Sequence, residues 1–200
     1  MTINFLNQNT ASLNADAETL LDPQVNAQPN TQAEQSVTLF PNMGAAEPLR
    51  PEFWSRFALT ELNHSEWEAL CDGCGSCCLI KYIDNDDNEE LVEYTDVTCQ
   101  LMDCATGYCR HYATRQEHVP DCIQLTIENL PNMMWLPSHC AYKRLYKGQA
   151  LPSWHLLTGD AVKTQQQMRA ANVGVAGRCV SEIGMSDEEM ETRVVHWVKP

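Results

Sequence analysis

The chain is 200 residues long, enough for one domain of ordinary size plus tails, and its formal net charge is −14 at pH 7. That charge argues against a basic face for nucleic acid or an anionic membrane, and no stretch approaches the roughly 18 consecutive apolar residues of a membrane span. It carries 10 cysteines, all but Cys179 lying between Cys71 and Cys140. The N-terminus has neither a basic n-region nor an apolar h-region, and its first basic residue is Arg50. A cytoplasmic location is therefore expected, where reducing conditions favour thiolates over disulfides.

Residues 1–48 are rich in Asn, Gln, Ala, Thr and Asp, and short apolar pieces such as Val37–Phe40 sit between Pro29 and Pro41. This composition predicts a disordered N-terminal extension, leaving residues 49–200 as a cysteine-cluster metal-binding domain. From Pro51 the large apolar residues Phe53, Trp54, Phe57 and Leu62 enter, and Asn63-His64-Ser65-Glu66 has the form of a capping box that opens a helix. Trp67 and Leu70 share one face of that helix and deliver the chain to Cys71. After Cys78, the β-rich runs Leu79–Ile83 and Leu91–Tyr94 flank the acidic stretch Asp84–Glu89, which predicts a hairpin. An EF-hand reading of that stretch fails, because Glu89 and Thr95 stand where the loop needs its Gly and its bidentate Glu.

The segment Val97–Cys122 is irregular and polar, with one helical piece near Tyr112–His118, and a metal centre would supply much of its order. Thr126–Pro131 suggests a short capped turn. Pro137-Ser138 then predicts the start of a helix through Cys140, Tyr142, Leu145 and Tyr146, with Gly148 as its C′ residue. Further on, the pattern predicts a helix over Asp160–Ala171, a short strand within Val173–Ser181, and a helix from the capping box Ser186-Asp187-Glu188-Glu189 to near Trp197.

The chemistry concentrates in Cys71-Asp72-Gly73-Cys74-Gly75-Ser76-Cys77-Cys78. Thiols separated by two residues let a loop turn back and aim successive sulfurs at one point, and Gly73 and Gly75 allow backbone N–H groups close to sulfur. Adjacent side chains diverge by roughly 100° on a helix, so Cys77 and Cys78 are expected to serve two centres, or one centre and the core. Zinc commonly takes two well-separated CxxC pairs, whereas overlapping CxxC runs are closer to the ligands of iron–sulfur proteins. Lys81, Arg110, Arg115, Lys143 and Arg144 could offset thiolate charge. His111, His118, His139 and His155 are candidate ligands or bases, but no motif ties them to a nucleophile; His139, beside Cys140, is a reserve ligand. Cys179 reads as a small buried apolar residue.

With the further motifs DVTC (Asp96–Cys99), CRHYATRQEHVPDC (Cys109–Cys122), LTIENLP (Leu125–Pro131) and WLPSHCAYKRL (Trp135–Leu145), the loop closely resembles the YkgJ-type cysteine-cluster family, in its YcgN-like branch, over roughly Phe53–Ser181. The resemblance implies a zinc- or iron-chelating domain whose metal-linked set is Cys71, Cys74, Cys77, Cys78, Cys99, Cys109, Cys122 and Cys140, enough thiols for two four-cysteine centres. Members of this branch often carry Thr-Cys-x-Cys before the Arg; here Gly107 takes the place of the first cysteine and only Cys109 matches, which leaves Cys104 outside the set. The wider family includes flagellin lysine N-methylases. Local support for that activity is missing, since Val173-Gly174-Val175-Ala176-Gly177 is not framed by a clear strand and helix.

The expectation is an α+β, loop-rich domain with short helices and a β-hairpin, stapled by cysteine-ligated metal. An iron–sulfur cluster or zinc would serve redox chemistry, metal handling or an accessory role to a protein partner. The alternatives are a structural-zinc interaction module, a thiol–disulfide switch on Cys77 and Cys78 or a CxxC pair, and a methylase-like enzyme. Neither nucleic acid nor membrane is expected as a partner.

Overall fold

Residues 4–5, 47–84, 91–159 and 161–200 are described in the computed structural model. Its strands are β1 (Asn4–Phe5), β2 (Leu79–Asp84), β3 (Leu91–Thr98), β4 (Val180–Ser181) and β5 (Val194–Val195), and its helices are α1 (Phe53–Arg56), α2 (His64–Ala69), α3 (Arg115–His118), α4 (Ala141–Tyr146), α5 (Ala161–Ala170) and α6 (Asp187–Glu191). Short helices around a small sheet agree with the α+β expectation. The predicted hairpin forms: β2 and β3 pair antiparallel, with Leu79 opposite Thr98 and Asp84 opposite Leu91. The turn between them lies outside the described residues, as does most of the predicted N-terminal extension. Within that extension, β1 pairs antiparallel with the edge of β2.

The sheet grows from β3, whose second edge is left open by the hairpin. Such an edge recruits backbone wherever it can. Here β4 adds parallel beside Val97 and Thr98, and β5 adds antiparallel beside Tyr94 and Thr95. This recruitment explains two departures from the sequence reading. The last helix stops at Glu191 instead of running toward Trp197, because Arg193 is held by Asp96 of β3 through two hydrogen bonds of 2.7 Å and the chain turns into β5. Only Val180–Ser181 of the stretch predicted as a strand joins the sheet; before it, Gly174 and Gly177 take φ of +84° and +70° and wind the chain through turns.

The helix expected to open at Pro137-Ser138 begins later, at Ala141. The Ser138 amide donates to the Lys199 carbonyl, and the Cys140 amide closes a turn on Pro137, so Cys140 stands just outside the helix. Its C-terminus ends as expected on Gly148 at φ +68°: the Gly148 and Gln149 amides return to the Leu145 and Arg144 carbonyls in a Schellman motif.

Two apolar clusters flank the cysteine loop. One gathers Phe53, Leu70, Ile83, Leu130, Trp135 and Leu136; the other gathers Leu79, Tyr94, Met102, Val175, Cys179 and Val198. Cys77 packs against the first and Cys78 against the second. Adjacent residues thus face the two halves of the interior.

Candidate functional site

The loop is positioned by α2 on one side and β2 on the other. The capping box at the head of α2 is reciprocal, with Glu66 N–H donating to Asn63 Oδ1 at 2.8 Å and Asn63 N–H to Glu66 Oε2 at 3.1 Å. Trp67 stacks obliquely on Tyr142, ring centroids 5.0 Å apart, and its carbonyl accepts the Tyr142 hydroxyl at 2.9 Å. That contact joins α2 to α4 and so brings Cys71, just after the first helix, beside Cys140, just before the second.

Inside the loop, Asp72 Oδ1 accepts the Cys74 amide at 3.0 Å, an Asx turn that tightens the first CxxC step. The Cys74 carbonyl accepts the Val175 amide at 2.9 Å, so the segment after α5 closes over the loop. That contact dictates glycine at position 75, whose φ is +72°: a Cβ would meet Val175 Cγ2 at 2.5 Å and the Gly107 carbonyl oxygen at 3.0 Å. Gly75→Ala is expected to cost about 2 kcal/mol, read as a lower urea midpoint with unchanged slope.

The thiols divide around Cys77 and Cys78, with Cys71, Cys77 and Cys140 packed against one apolar cluster and Cys78 against the other. Burial is the main cause that pushes Cys71 and Cys74 well above the ordinary thiol range and Cys140 up to about 12, with Cys77 and Asp72 adding to each. These residues, with Cys77, form an inner set: Cys71, Cys74, Cys77 and Cys140. The outer set is Cys78, Cys99, Cys109 and Cys122. Cys99 N–H donates to the Cys78 carbonyl, just beyond the Leu79–Thr98 pairing. A turn then carries the chain from Met102 back to its bridge partner Cys109. Cys99 is pushed up to about 11, chiefly by burial, with Glu182, Cys122 and Cys109 adding to it. Cys122 is raised by burial too, with Cys109 and, from the other set, Cys77 adding to the rise and the Arg115 guanidinium working against it.

The two sets meet at Cys77 and Cys78, whose sulfurs are 4.0 Å apart on a 3-10 turn. The hydrogen bond between them lowers Cys77 and raises Cys78. Lys81, buried on β2, donates to the Cys77 carbonyl at 3.1 Å and lies 4.4 Å from the Trp135 ring centroid. Burial pulls its pKa down while Cys77 and Cys78 pull it up, so this cation is placed to offset thiolate charge at the junction.

Backbone donors face several sulfurs. The Gly73 amide bonds Cys71 and the Leu101 amide bonds Cys99, each lowering the pKa of its thiol. Cys140 makes no capping hydrogen bond in the strict sense, yet the Lys143 and Tyr142 amides of the first turn of α4 lie close enough to its sulfur to lower its pKa. Amides aimed at sulfur stabilise thiolate charge.

Beside the sets lies a cavity of about 190 Å³, lined by all four outer thiols and by Cys71 and Cys77 of the inner set. Trp67, Tyr112 and Arg115 form part of its wall, with the Tyr112 hydroxyl donating to Glu68 Oε2 at 2.6 Å. Among the described residues, no three His, Cys, Asp or Glu side chains are drawn tightly enough together to hold a metal ion as they stand. The thiols line a space instead of closing on a point.

The donor chemistry fits a thiophilic metal, and one buried atom points the same way. Asp72 is 4% exposed and lies among the inner thiols, yet no described group donates to its Oδ2. His139 has a buried Nε2 without a partner among the described residues, and burial lowers its pKa while nearby Asp72 pulls it up, which places it close to the inner set. His155 is different. Its Nε2 donates to the Leu70 carbonyl at 2.9 Å and its Nδ1 accepts the Leu157 amide at 3.1 Å, leaving neither nitrogen for a ligand or a proton. His111 and His118 stack on each other, ring centroids 4.6 Å apart, at an exposed part of the outer loop. Asp72 escaped the sequence reading, although Asp-Gly within a CxxC step is a turn signal. Cys179 is buried as expected, but Cys104 is its thiol neighbour.

No family model and no solved structure matches the chain. Curated relatives do. A UPF0260 protein of Shewanella denitrificans is 45% identical over 146 residues, which is 72% of this chain and 94% of the relative. A UPF0260 protein of Shewanella amazonensis is 46% identical over 147 residues, 73% of this chain and 95% of the relative. One from Parvibaculum lavamentivorans is 43% identical over 146 residues, 72% of this chain and 92% of the relative. With such identity across more than nine-tenths of each relative, the chain belongs to the UPF0260 family.

Proposed function

We propose that this protein is a cytoplasmic cysteine-cluster metal protein with two four-thiol centres, in keeping with its resemblance to the YkgJ-type family and its YcgN-like branch. Cys71, Cys74, Cys77 and Cys140 would hold one centre, and Cys78, Cys99, Cys109 and Cys122 the other. One observation supports this reading: the adjacent Cys77 and Cys78, sulfurs 4.0 Å apart, face opposite halves of the interior, Cys77 packing with Cys71 and Cys140 against one apolar cluster and Cys78 against the other. Amides on sulfur and the buried Lys81 supply the positive partners such centres need.

An iron–sulfur cluster stands ahead of zinc. Zinc draws four sulfurs to about 2.3 Å from one point, whereas a cluster spreads its ligands around a larger core. The outer thiols, arranged around a cavity of about 190 Å³, favour the larger group. A bound cluster would supply one-electron chemistry, and the protein's role would be redox, metal handling or service to a partner. Structural zinc is the second reading, favoured by the buried Cys74 with Cys71, Cys77 and Cys140 half-buried beside it, which suits a metal that only staples.

The test is iron, zinc and acid-labile sulfide per chain, with an absorption spectrum, on protein purified without oxygen. Iron with matching sulfide and a broad visible band is the expected result. Zinc in a colourless protein would move the reading to a stapled interaction module. Folded protein without either metal would overturn it.

A further inference from the structure

Two cysteines belong to neither set. Cys104 sits on the turn between Met102 and Cys109, and Cys179 lies 75 residues further along, just before β4. Their surroundings bring them together. The Cys104 carbonyl accepts the Gly177 amide at 2.7 Å, and Gly107, lacking a side chain, lets Ala176 lie close against the same turn. Cys104 packs against the apolar cluster that contains Cys179, and after burial the Cys104 thiol is the next cause that raises the pKa of Cys179. Cys179 is 9% exposed, while Cys104 is half-buried and open to a small reagent.

We propose that Cys104 and Cys179 form a dithiol site, separate from the eight candidate ligands, that closes to a disulfide under hydrogen peroxide. Each thiol gives up a proton and an electron, the S–S bond forms, the peroxide O–O bond breaks, and two water molecules leave. The bond would tie the outer loop to the segment that closes over the cysteine loop, since Val175, four residues before Cys179, donates its amide to the Cys74 carbonyl. Oxidation would therefore clamp the cover over the candidate metal site at a position that costs no ligand. The inference stands on this thiol pair alone and does not require that metal be bound.

The experiment uses the full chain, purified without oxygen and treated with about one equivalent of hydrogen peroxide, then alkylated and digested without reductant. The expected result is one cross-linked peptide pair containing Cys104 and Cys179, a loss of two free thiols per chain, and unchanged metal content. Cross-links among Cys71, Cys74, Cys77 and Cys78, or recovery of Cys104 and Cys179 as separate alkylated or sulfenic peptides, would overturn the proposal. Cys104→Ser should abolish the two-thiol loss; if that variant fails to fold, the peptide map of the unsubstituted chain decides. Protein found to carry no metal would count against the metal-centre reading while leaving this cross-link readable.

Discussion

Cys74→Ser is expected to remove metal from the inner set and to unfold the chain, the largest effect of any single substitution here. Serine is close to cysteine in size, so little of the loss would come from a cavity. It would come from the ligand. Binding to a structural thiolate site is worth about 10–16 kcal/mol for zinc-finger peptides, comparable to the whole stability of a small domain at about 5–15 kcal/mol. Cys74 is also where the loop is fastened: its amide donates to Asp72, and its carbonyl accepts Val175 from the segment that covers it. Cys99→Ser is the informative contrast. On the proposed two-centre reading it removes a ligand from the set beside the cavity, so metal per chain should fall by about half while the far-UV circular dichroism stays close to that of the parent. Cys74→Ser that keeps both its full metal content and its circular dichroism would sink the two-centre reading.

What could be read from the sequence was local. The capping boxes at Asn63–Glu66 and Ser186–Glu189 and the hairpin of β2 and β3 are each decided within a few residues, by an oxygen three positions before an amide or by β-rich runs around a polar turn. The elements that differed are decided by distant partners. Strands of two residues have no period of their own, so β4 and β5 exist only because β3 offers an edge. The late start of α4 depends on the Lys199 carbonyl taking the Ser138 amide, which no window around Pro137 could reveal. The site behaves the same way. That Cys77 and Cys78 face different surroundings follows from their being adjacent. Which thiols join each of them depends on the Trp67–Tyr142 contact and on the β2–β3 register. The neighbourhood of Cys104 and Cys179 rests on winding through Gly174 and Gly177, where the pattern suggested only a strand.

Glu66→Ala is expected to destabilise the fold by about 3 kcal/mol, because one carboxylate serves two structures at once. Its side chain is fully buried. Oε1 accepts Arg50 Nε at 2.7 Å and the Arg50 amide at 3.0 Å, while Oε2 accepts Arg50 Nη2 at 2.6 Å and the Asn63 amide at 3.1 Å. It thus completes the capping box of α2 and fixes the strand of chain that enters the domain, whose Arg50 guanidinium also lies 3.7 Å from the Phe57 ring centroid. The Arg50 hydrogen bond is the main reason its pKa falls from 4.5 to about 2, against the opposing effect of burial. A carboxylate whose folded pKa is depressed stabilises the fold fully above its unfolded value and loses that contribution as pH falls through the folded one. The stability gap between the parent and Glu66→Ala should therefore be widest above pH 4.5 and shrink as pH drops toward about 2. Glu66→Gln separates the two roles, since an amide oxygen can still accept the Asn63 amide but carries no charge for Arg50. Its deficit should be smaller than that of Glu66→Ala and should close over the same pH range. Urea unfolding of all three proteins across that range is the measurement, and a gap that does not change with pH would mean the ion pair adds nothing to the fold. Because α2 delivers Cys71 to the loop, a shift at Glu66 should also loosen the inner thiols, so metal retention in the same titration links the strength of this anchor to the site it supports.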